Sequence, residues 1–274
     1  MATVEEKRTE FRALHVPGDP LVMPNPWDLG SARLFDAMGA KAMATTSSGH
    51  AFTIGLPDMG HVTAEQAFAH AAEIVGCTEL PVNADFENGY GAAPEAAAAT
   101  VRRAAEIGLA GCSIEDTDLP GPSLTEVGAY GFSDAMERAE ACIAVAKESG
   151  IVLTLRADGF MNGAYDEAEA LRRTKAFAGL GADVVYAPLV SMEALAEMSG
   201  YGVPVNALIT RRDATQPLSA FAEAGAARIS IGGSLARVTH QVIMDAAKAM
   251  MGQGDFSILK GAASGDAVDE LLIR

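Results

Sequence analysis

The stretch Pro81-Val82-Asn83-Ala84-Asp85-Phe86-Glu87-Asn88-Gly89-Tyr90-Gly91 is the most informative part of the chain. It begins as a short apolar strand, reaches the carboxylates of Asp85 and Glu87, and continues into a glycine-rich turn. A second apolar run ends at Glu115, and a third ends at Arg156. Charged residues are costly at the ends of buried strands unless they pair or hold an ion. These strand ends therefore predict one polar site at one edge of a parallel sheet.

Short apolar runs alternate with segments of helical periodicity along almost the whole chain. Eight strand–helix units follow from this alternation, with strands at Leu21–Met23, Lys41–Thr45, around Val82, Ala110–Ile114, Ile151–Leu155, Asp183–Tyr186, Val203–Asn206 and Arg228–Ile231. Eight such units favour a closed (β/α)8 barrel of the TIM type. An open, doubly wound sheet is the alternative, but no glycine-rich phosphate loop follows the first strand.

The length of 274 residues suits one barrel domain over residues 1–274. We expect residues 1–17 to form an N-terminal helical segment. Residues 253–274 would form a C-terminal extension beyond the last barrel helix.

The net charge of -16 bears on the partners of the protein. It repels nucleic acid phosphates and anionic lipid, so neither nucleic acid nor membrane is an expected partner. The three cysteines form no CxxC pair and no zinc pattern, and their odd number suits a reducing compartment. The polar N-terminus lacks the core of a signal peptide, so the sequence predicts a cytoplasmic protein.

The predicted strand ends collect acidic residues and one cation at the same edge of the barrel. Mg²⁺ prefers oxygen ligands, commonly a few carboxylates together with water. Asp85, Glu87 and Glu115 are therefore the predicted metal ligands, with Mn²⁺ as an alternative ion. Arg156 suits bidentate binding of a substrate carboxylate. It could also form a structural ion pair with Glu115 or Asp158, and the two roles are compatible.

Two further segments could bind an anion through backbone N–H groups. Thr45-Thr46-Ser47-Ser48-Gly49 could wrap an anion or could be an ordinary polar loop. Gly232-Gly233-Ser234 stands where many barrels hold phosphate, although glycines also simply form tight turns, which is the favoured interpretation. No lysine ends a strand and no cysteine is placed as a nucleophile, so covalent catalysis by a Schiff base or a thiol is not expected.

These motifs, in their order and spacing, resemble the isocitrate lyase/phosphoenolpyruvate mutase superfamily over nearly the whole chain. The resemblance rests on Pro24-Asn25-Pro26-Trp27-Asp28, Thr45-Thr46-Ser47, Gly55-Leu56-Pro57-Asp58, Asp85 to Gly91, Ser113-Ile114-Glu115-Asp116 and Arg156-Ala157-Asp158. It implies a (β/α) barrel whose last helix is exchanged between paired subunits. It also implies a homotetramer, built as a dimer of dimers.

The resemblance assigns roles to the residues at the barrel mouth. Asp85, Glu87 and Glu115 would hold Mg²⁺ mostly through water, and Asp58 would join this acidic cluster. The implied catalytic residues are Asp58, Arg156 and Glu115, and the implied substrate-binding residues are Thr46, Ser47, Arg156 and Asn206. The shared chemistry passes through a metal-stabilised, pyruvate-like enolate formed from a small 2-oxo or 2-hydroxy dicarboxylate.

The loop after the fourth strand departs from the lyases that this family contains. Those lyases carry a Lys-Lys/Arg-Cys-Gly-His motif there, whereas Asp118 to Thr125 contains no Cys, Lys or His. Cleavage of isocitrate or methylisocitrate by the usual route is therefore not expected. The remaining expectation is a Mg²⁺-dependent carbon–carbon lyase of the oxaloacetate decarboxylase type.

Two alternatives stay open at the level of sequence. A phosphoenolpyruvate mutase or phosphonopyruvate hydrolase would act on a phosphorus–carbon bond and would need a polar group near Ser123 or Thr125. A barrel that binds a 2-oxo acid without turning it over would need no base on this loop. Glycines at Gly121, Gly128 and Gly131 would permit the loop to close over the site.

Overall fold

Ten strands are present in the computed structural model, which describes residues 2–119 and 127–273. Their bounds are β1 Leu21–Met23, β2 Met43–Ala44, β3 Val82–Asp85, β4 Gly111–Glu115, β5 Thr117–Asp118, β6 Gly128–Ala129, β7 Val152–Arg156, β8 Val184–Tyr186, β9 Val205–Leu208 and β10 Arg228–Ser230. Eight of them form one parallel sheet in the order β1-β10-β9-β8-β7-β4-β3-β2. The predicted (β/α)8 barrel is confirmed.

The two ends of this sheet meet and nearly close the barrel. Beyond the strand ladders, the Ala44 N–H of β2 donates to the Pro24 carbonyl just after β1, at 3.0 Å. The two remaining strands, β5 and β6, pair with each other in antiparallel orientation. The sequence predicted only a loop in this region, because strands of two residues carry no detectable periodicity.

Strand register places the functional side chains in one row across neighbouring strands. Glu115 on β4 pairs with Arg156 on β7, and Arg156 pairs with Tyr186 on β8. The row continues from Tyr186 to Asn206 on β9 and from Asn206 to Arg228 on β10. Because partners in a parallel ladder point to the same face, this row lines the barrel interior.

Helices alternate with the strands and cover the outside of the barrel. Their bounds are α1 Val4–Ala13, α2 Leu29–Ala37, α3 Ser47–Thr53, α4 Ala64–Gly76, α5 Pro94–Glu106, α6 Phe132–Ser149, α7 Glu167–Leu180, α8 Met192–Ser199, α9 Leu218–Glu223, α10 Ser234–Gln253 and α11 Gly265–Leu272. Local capping explains several starts. Thr63 and Gln66 form the predicted capping box of α4, and Asp166 caps α7 through the N–H of Glu169.

The predicted anion-wrapping loop at Thr45 to Gly49 is largely the start of helix α3. Thr46 is its N-cap and accepts from the Gly49 N–H at 3.3 Å. A run of Thr, Ser and Gly has low helix propensity, so the short helix could not be recognised from composition. Its packing against the barrel outweighs that propensity, because Ser48, Gly49 and Ala51 are buried.

The N-terminal helix α1 packs against the bottom of the barrel. Phe11 of α1 is fully buried in a cluster with Leu21, Met23 and Val152. Arg8 donates to the carbonyls at the lower ends of the barrel, including those of Leu109, Ser149 and Ala105. These bonds satisfy backbone groups that would otherwise be left without partners at the closed end.

The last long helix behaves differently from the others. Within α10 only Ala236 is buried, whereas Val238, Val242, Ile243 and Met244 are exposed. Beyond it, α11 packs against α2. The expected exchange of the last helix between subunits stays a prediction. No helix in residues 2–119 and 127–273 combines the length and the hydropathy that crossing a membrane requires.

Candidate active site

A polar cavity of about 120 Å³ opens at the carboxyl ends of the barrel strands. The eight predicted site residues all line it, namely Thr46, Ser47, Asp58, Asp85, Glu87, Glu115, Arg156 and Asn206. Side chains that are far apart in sequence meet here because parallel strands share one carboxyl edge. The convergence that the strand ends predicted is therefore present.

Arg156 is the electrostatic centre of the acidic end of the cavity. Its Nη1 lies 2.9 Å from Asp85 Oδ1 and 2.9 Å from Glu115 Oε1. Its Nε and Nη2 donate to the two carboxylate oxygens of Asp158 at 3.1 and 2.7 Å. The guanidinium also lies 4.9 Å from the centre of the Tyr186 ring. Both predicted partners of a structural ion pair, Glu115 and Asp158, are thus engaged.

Asp85 forms hydrogen bonds through both its side chain and its backbone N–H. Its Oδ2 accepts from the Ser47 hydroxyl at 2.9 Å and from the Ser47 N–H at 3.2 Å. Its own N–H donates to Thr45 Oγ1 at 3.0 Å. The Ser47 hydroxyl is therefore committed to the acidic cluster, and its predicted role toward a 2-oxo acid stays a prediction.

Glu87 is the least satisfied carboxylate of the cluster. Its backbone has a φ of 47°, which is the left-handed region that non-glycine residues rarely adopt. Oε1 accepts from the Gly60 N–H at 3.1 Å, whereas Oε2 is buried without a hydrogen-bond partner among the described residues. Burial, followed by the neighbouring Asp85 and Asp58, raises the pKa of Glu87 to about 7.

Asp58 and Glu115 also carry raised pKa values. For Asp58, burial is the main cause, and the negative charge of Asp85 adds to it. For Glu115, burial raises the pKa well above its usual value although Arg156 opposes the rise. Raised pKa values mark carboxylates that lack enough positive charge around them. Groups of this kind concentrate at functional sites.

The acidic end has the chemistry of a site for a hard divalent cation. Four carboxylates surround it, and the buried Glu87 Oε2 has no hydrogen-bond partner in residues 2–119 and 127–273. No three His, Cys, Asp or Glu side chains within the described ranges are arranged as a direct ligand set. The donor set therefore fits an ion that keeps several of its waters, as Mg²⁺ commonly does, rather than a fully protein-ligated ion.

Beneath the cavity lies a buried arginine that the strand-end reasoning missed. Arg228 is 2% exposed and donates from Nε to Asn206 Oδ1 at 2.8 Å. Its Nη2 donates to Thr154 Oγ1 at 3.1 Å, and its Nη1 lies 3.2 Å from His15 Nε2. Burial lowers its pKa to about 9, so the guanidinium stays charged at neutral pH. The alternation of Arg228 with Ile229 was the available signal, because it points Arg228 into the barrel.

Arg237 also lines the cavity and was also missed. It lies in the first turn of α10, and Gly232 and Gly233 line the cavity beside it. The turn before α10 is fixed by Asn25, whose Oδ1 accepts from the N–H groups of Ile231 and Gly232 at 2.9 and 3.0 Å. No sequence pattern marks this arginine, because its place depends on the direction in which α10 leaves the sheet.

The predicted closing loop falls largely outside the described residues, because residues 120–126 are not among them. Ser123 and Thr125, the predicted polar residues for phosphorus–carbon chemistry, lie in that segment. The cysteines lie elsewhere in the fold. Cys112 and Cys142 are buried, and none of the three cysteines lines the cavity. Burial raises the pKa of Cys142 to about 12, as expected for an unreactive thiol.

Comparison with known proteins places the chain in a family. The family model for phosphoenolpyruvate phosphomutase matches residues 11–251. The solved structure of a candidate lyase/mutase from Burkholderia cenocepacia J2315 has a TM-score of 0.90 and 35% identity, covering 99% of this chain and 97% of that chain.

Two curated relatives extend the comparison. An uncharacterized protein of Mycobacterium tuberculosis is 30% identical over 230 residues, or 81% of each chain. A 2-methylisocitrate lyase of Bacillus subtilis is 26% identical over 190 residues, covering 69% of this chain and 62% of that one. The chain therefore belongs to the phosphoenolpyruvate phosphomutase family, within the isocitrate lyase/phosphoenolpyruvate mutase superfamily.

Proposed function

We propose that this protein is a Mg²⁺-dependent carbon–carbon lyase that acts on a small 2-oxo or 2-hydroxy dicarboxylate. The observation that carries the proposal is the acidic cluster around Arg156, in which Glu87 Oε2 is buried without a partner among the described residues. Membership of a family that includes a 2-methylisocitrate lyase supports the reaction class.

The metal assignment follows from the donor set. Asp85, Glu87 and Glu115 would hold Mg²⁺, or Mn²⁺ in its place, largely through bound water. When bound, the cation supplies electrophilic stabilisation of the negative charge that develops on the 2-oxo acid. Arg156 balances part of the charge of the same carboxylates and holds Asp85 and Glu115 in place.

The remaining site residues act on the substrate and on its proton. Thr46 and Asn206 would bind substrate oxygens at the cavity wall, and Ser47 would orient Asp85 through the bonds already described. Asp58 is the proposed carrier of a proton, because burial raises its pKa and its carboxyl takes up a proton more readily than an exposed aspartate.

Decarboxylation of oxaloacetate is the simplest reaction that these residues could perform. The bond between C3 and the C4 carboxylate breaks, CO₂ leaves, and the electron pair stays on C3. A proton then adds at C3 and gives pyruvate. This reaction needs no thiol, which suits a site that none of the three cysteines lines.

The test is a screen of 2-oxo and 2-hydroxy diacids with Mg²⁺, read as release of pyruvate or another oxo acid. We expect turnover that EDTA abolishes and that falls at least about 100-fold in Asp85→Asn, since one charge-assisted contact is worth roughly 1.5–3 kcal/mol and two are lost. Asp266→Asn, an exposed change on α11, is the matched control. No turnover of any diacid with metal present would overturn the proposal.

A second candidate is a phosphoenolpyruvate mutase or phosphonopyruvate hydrolase. The match to the phosphoenolpyruvate phosphomutase family model favours it. Phosphorus NMR of phosphonopyruvate with the enzyme and Mg²⁺ separates the two candidates. Formation of phosphoenolpyruvate or free phosphate would favour phosphorus–carbon chemistry. Tight calorimetric binding of pyruvate with no product from any acid would instead indicate a non-catalytic binding protein.

We propose further that the protein works in the cytoplasm as a homo-oligomer, built as a dimer of dimers. The cysteines are free, which suits a reducing compartment. The exposed apolar side chains of α10, among them Val242 and Ile243, are the surface that exchange of this helix would bury. Light scattering of the purified chain measures the assembly, and a monomer would contradict this part.

A further inference from the structure

A second cavity, of about 210 Å³, lies beside the polar one, between the ends of β8 and β9 and the helices α8 and α9. We call this cavity the side chamber. Most of its lining residues are apolar, and the larger of them are Leu189, Val190, Met192, Leu195, Leu208 and Phe221. An apolar protein cavity of about 150 Å³ can hold a six-carbon ring. The side chamber therefore has room for a small apolar group.

The three polar side chains that line the side chamber already have partners in the protein. The Ser191 hydroxyl donates to Glu167 at 3.1 Å. The Arg212 guanidinium pairs with Asp213 at 2.9 Å and donates to the Leu189 carbonyl at 2.6 Å. An occupant of the chamber is therefore not needed to satisfy these groups. The chamber suits an apolar occupant, which gains free energy by leaving water.

Leu208, at the end of β9, lines both cavities and so stands between them. Side chains alternate along a strand, so Asn206 and Leu208 share one face of β9 while Ala207 is on the other. Asn206 lines the polar cavity and Ala207 lines the side chamber, as this alternation requires. A substrate bound at Asn206 would therefore lie next to Leu208.

Leu208 is also poorly anchored for an apolar side chain. It is half-buried and, within residues 2–119 and 127–273, belongs to neither hydrophobic cluster, whereas Ala207 and Ile209 belong to or pack against the main one. A leucine outside the packed core can change rotamer without leaving a cavity in that core. Across the chamber, Leu189 has a φ of 65°, in the left-handed region. Such backbone strain concentrates at ligand sites.

We propose that the side chamber binds an apolar branch of the substrate, and that the substrates are 2-oxo or 2-hydroxy dicarboxylates with an alkyl group on C3. This inference rests on the proposed function, because it takes the acid ends of the substrate to lie in the polar cavity. C2 of a 2-oxo acid is trigonal and carries no branch, so C3 is the position that both substrate types leave open. The branch passes Leu208 and leaves water in the side chamber.

The test compares malate, 3-methylmalate and 3-butylmalate, with Kd measured by calorimetry in the presence of Mg²⁺. Each buried methylene should tighten binding roughly 3-fold, so 3-butylmalate should bind at least about 10-fold more tightly than 3-methylmalate. Equal Kd values for the three acids, weaker binding of 3-butylmalate, or no binding of any of them by the wild type would overturn the inference.

Two variants locate the effect in the side chamber. Val190→Phe fills the chamber, so the Kd of 3-butylmalate should rise at least about 10-fold while that of malate changes less than about 3-fold. Met192→Trp fills it from α8 and should act in the same way. Unchanged Kd values in the filled variants, or equal weakening of malate and 3-butylmalate, would overturn the inference.

Val203→Phe is the matched control, because Val203 is also a half-buried valine but lines neither cavity. It should leave the Kd values of malate and 3-butylmalate unchanged. Thermal melting checks that each variant is folded, and either of the two filled variants is enough for the test.

Turnover is a separate measurement and separates this inference from the proposed function. A preference for 3-butylmalate that the filled variants remove, without product from any diacid, would support the inference and overturn the proposed reaction. Turnover of unbranched diacids, with no gain in binding from the branch, would overturn the inference and keep the reaction.

Discussion

The mouth and the floor of the barrel each contain a buried arginine, and the two are held in opposite ways. At the mouth, Arg156 contacts three carboxylates, those of Asp85, Glu115 and Asp158. At the floor, the partners of Arg228 among the described residues are all uncharged, namely Asn206, Thr154 and His15. Yet both belong to the same row of paired strand residues.

The difference shows what each region is built for. At the mouth, burial raises the pKa values of Glu87 and Asp58, and the neighbouring carboxylates add to the rise. Such a region becomes stable when a further cation binds. The floor has more positive charge than its neighbours balance, so burial and Arg228 together lower the pKa of His15 to about 3. The two regions should therefore respond to mutation and to pH with opposite signs.

The largest effect is expected when Arg156, the positively charged side chain at the mouth, is replaced by an uncharged one. Arg156→Met leaves three carboxylates buried without their partner, and breaking a buried ion pair in this way costs about 3–5 kcal/mol of unfolding free energy. Urea denaturation measures the loss. Arg172→Met is the control, because Arg172 pairs with Glu169 at the surface and such pairs contribute about 1 kcal/mol or less. If Arg156→Met lost no more unfolding free energy than Arg172→Met, the three carboxylates at the mouth would not depend on Arg156, and this description would be wrong.

A second effect concerns Glu87 as the pH rises from acid to neutral. Its pKa is raised to about 7 in the folded protein, so its contribution to stability is complete below pH 4.5 and is lost as the pH rises through 7. This loss is roughly 3 kcal/mol, because a tenfold change in proton affinity is worth about 1.4 kcal/mol. Glu87→Gln should remove this dependence between pH 5 and 8.

The control for this measurement is the metal itself. Excess Mg²⁺ should flatten the dependence in the wild type, because a bound cation favours the ionised carboxylate. Thermal melting at several pH values, with and without Mg²⁺, tests both statements. Parallel curves for the wild type and Glu87→Gln in the absence of metal would contradict them.

A smaller effect of opposite sign is expected at the floor. His15 has a depressed pKa in the folded protein, so its contribution is complete above about pH 6.5 and is lost as the pH falls toward 3. Between pH 7 and 5 the loss is roughly 2 kcal/mol. His15→Gln keeps an acceptor for Arg228 but cannot titrate, and it should be the less acid-sensitive protein in urea denaturation. If the wild type and His15→Gln lost the same stability between pH 7 and 5, His15 would not be the group whose protonation destabilises the floor.

The sequence predicted much of the site from charged residues at the carboxyl ends of predicted strands, because that prediction depends on only two facts. Charged residues follow short apolar runs, and parallel strands end at one edge. Asp85, Glu87, Glu115 and Arg156 satisfy both conditions and line the same cavity. Arg228 begins β10 and does not follow its carboxyl end, so reasoning from carboxyl strand ends passed over it, although its alternation with Ile229 indicated that it points inward.

Other features lay beyond reasoning of this kind. Helix α3 forms from a segment rich in Ser, Thr and Gly, because its small residues pack closely at the barrel mouth. An added Cβ at Gly49 would lie 2.6 Å from the side chain of Thr46, which shows how tight this packing is. The hydrogen bond from the Ser47 hydroxyl to Asp85 likewise forms only because packing brings the two residues together. Local propensity carries no information about such contacts.

By itself, the order of apolar runs, helical segments and charged strand ends determined a parallel barrel with an acidic mouth, since alternation and strand polarity are local properties of the chain. Only the tertiary structure decided how the charges are shared. It gave Arg156 to three carboxylates, buried Arg228 among neutral acceptors, and left Arg237 facing the cavity. Charge interactions depend on distance and burial, and residues such as His15 and Arg228, 213 positions apart, become neighbours only in the folded barrel.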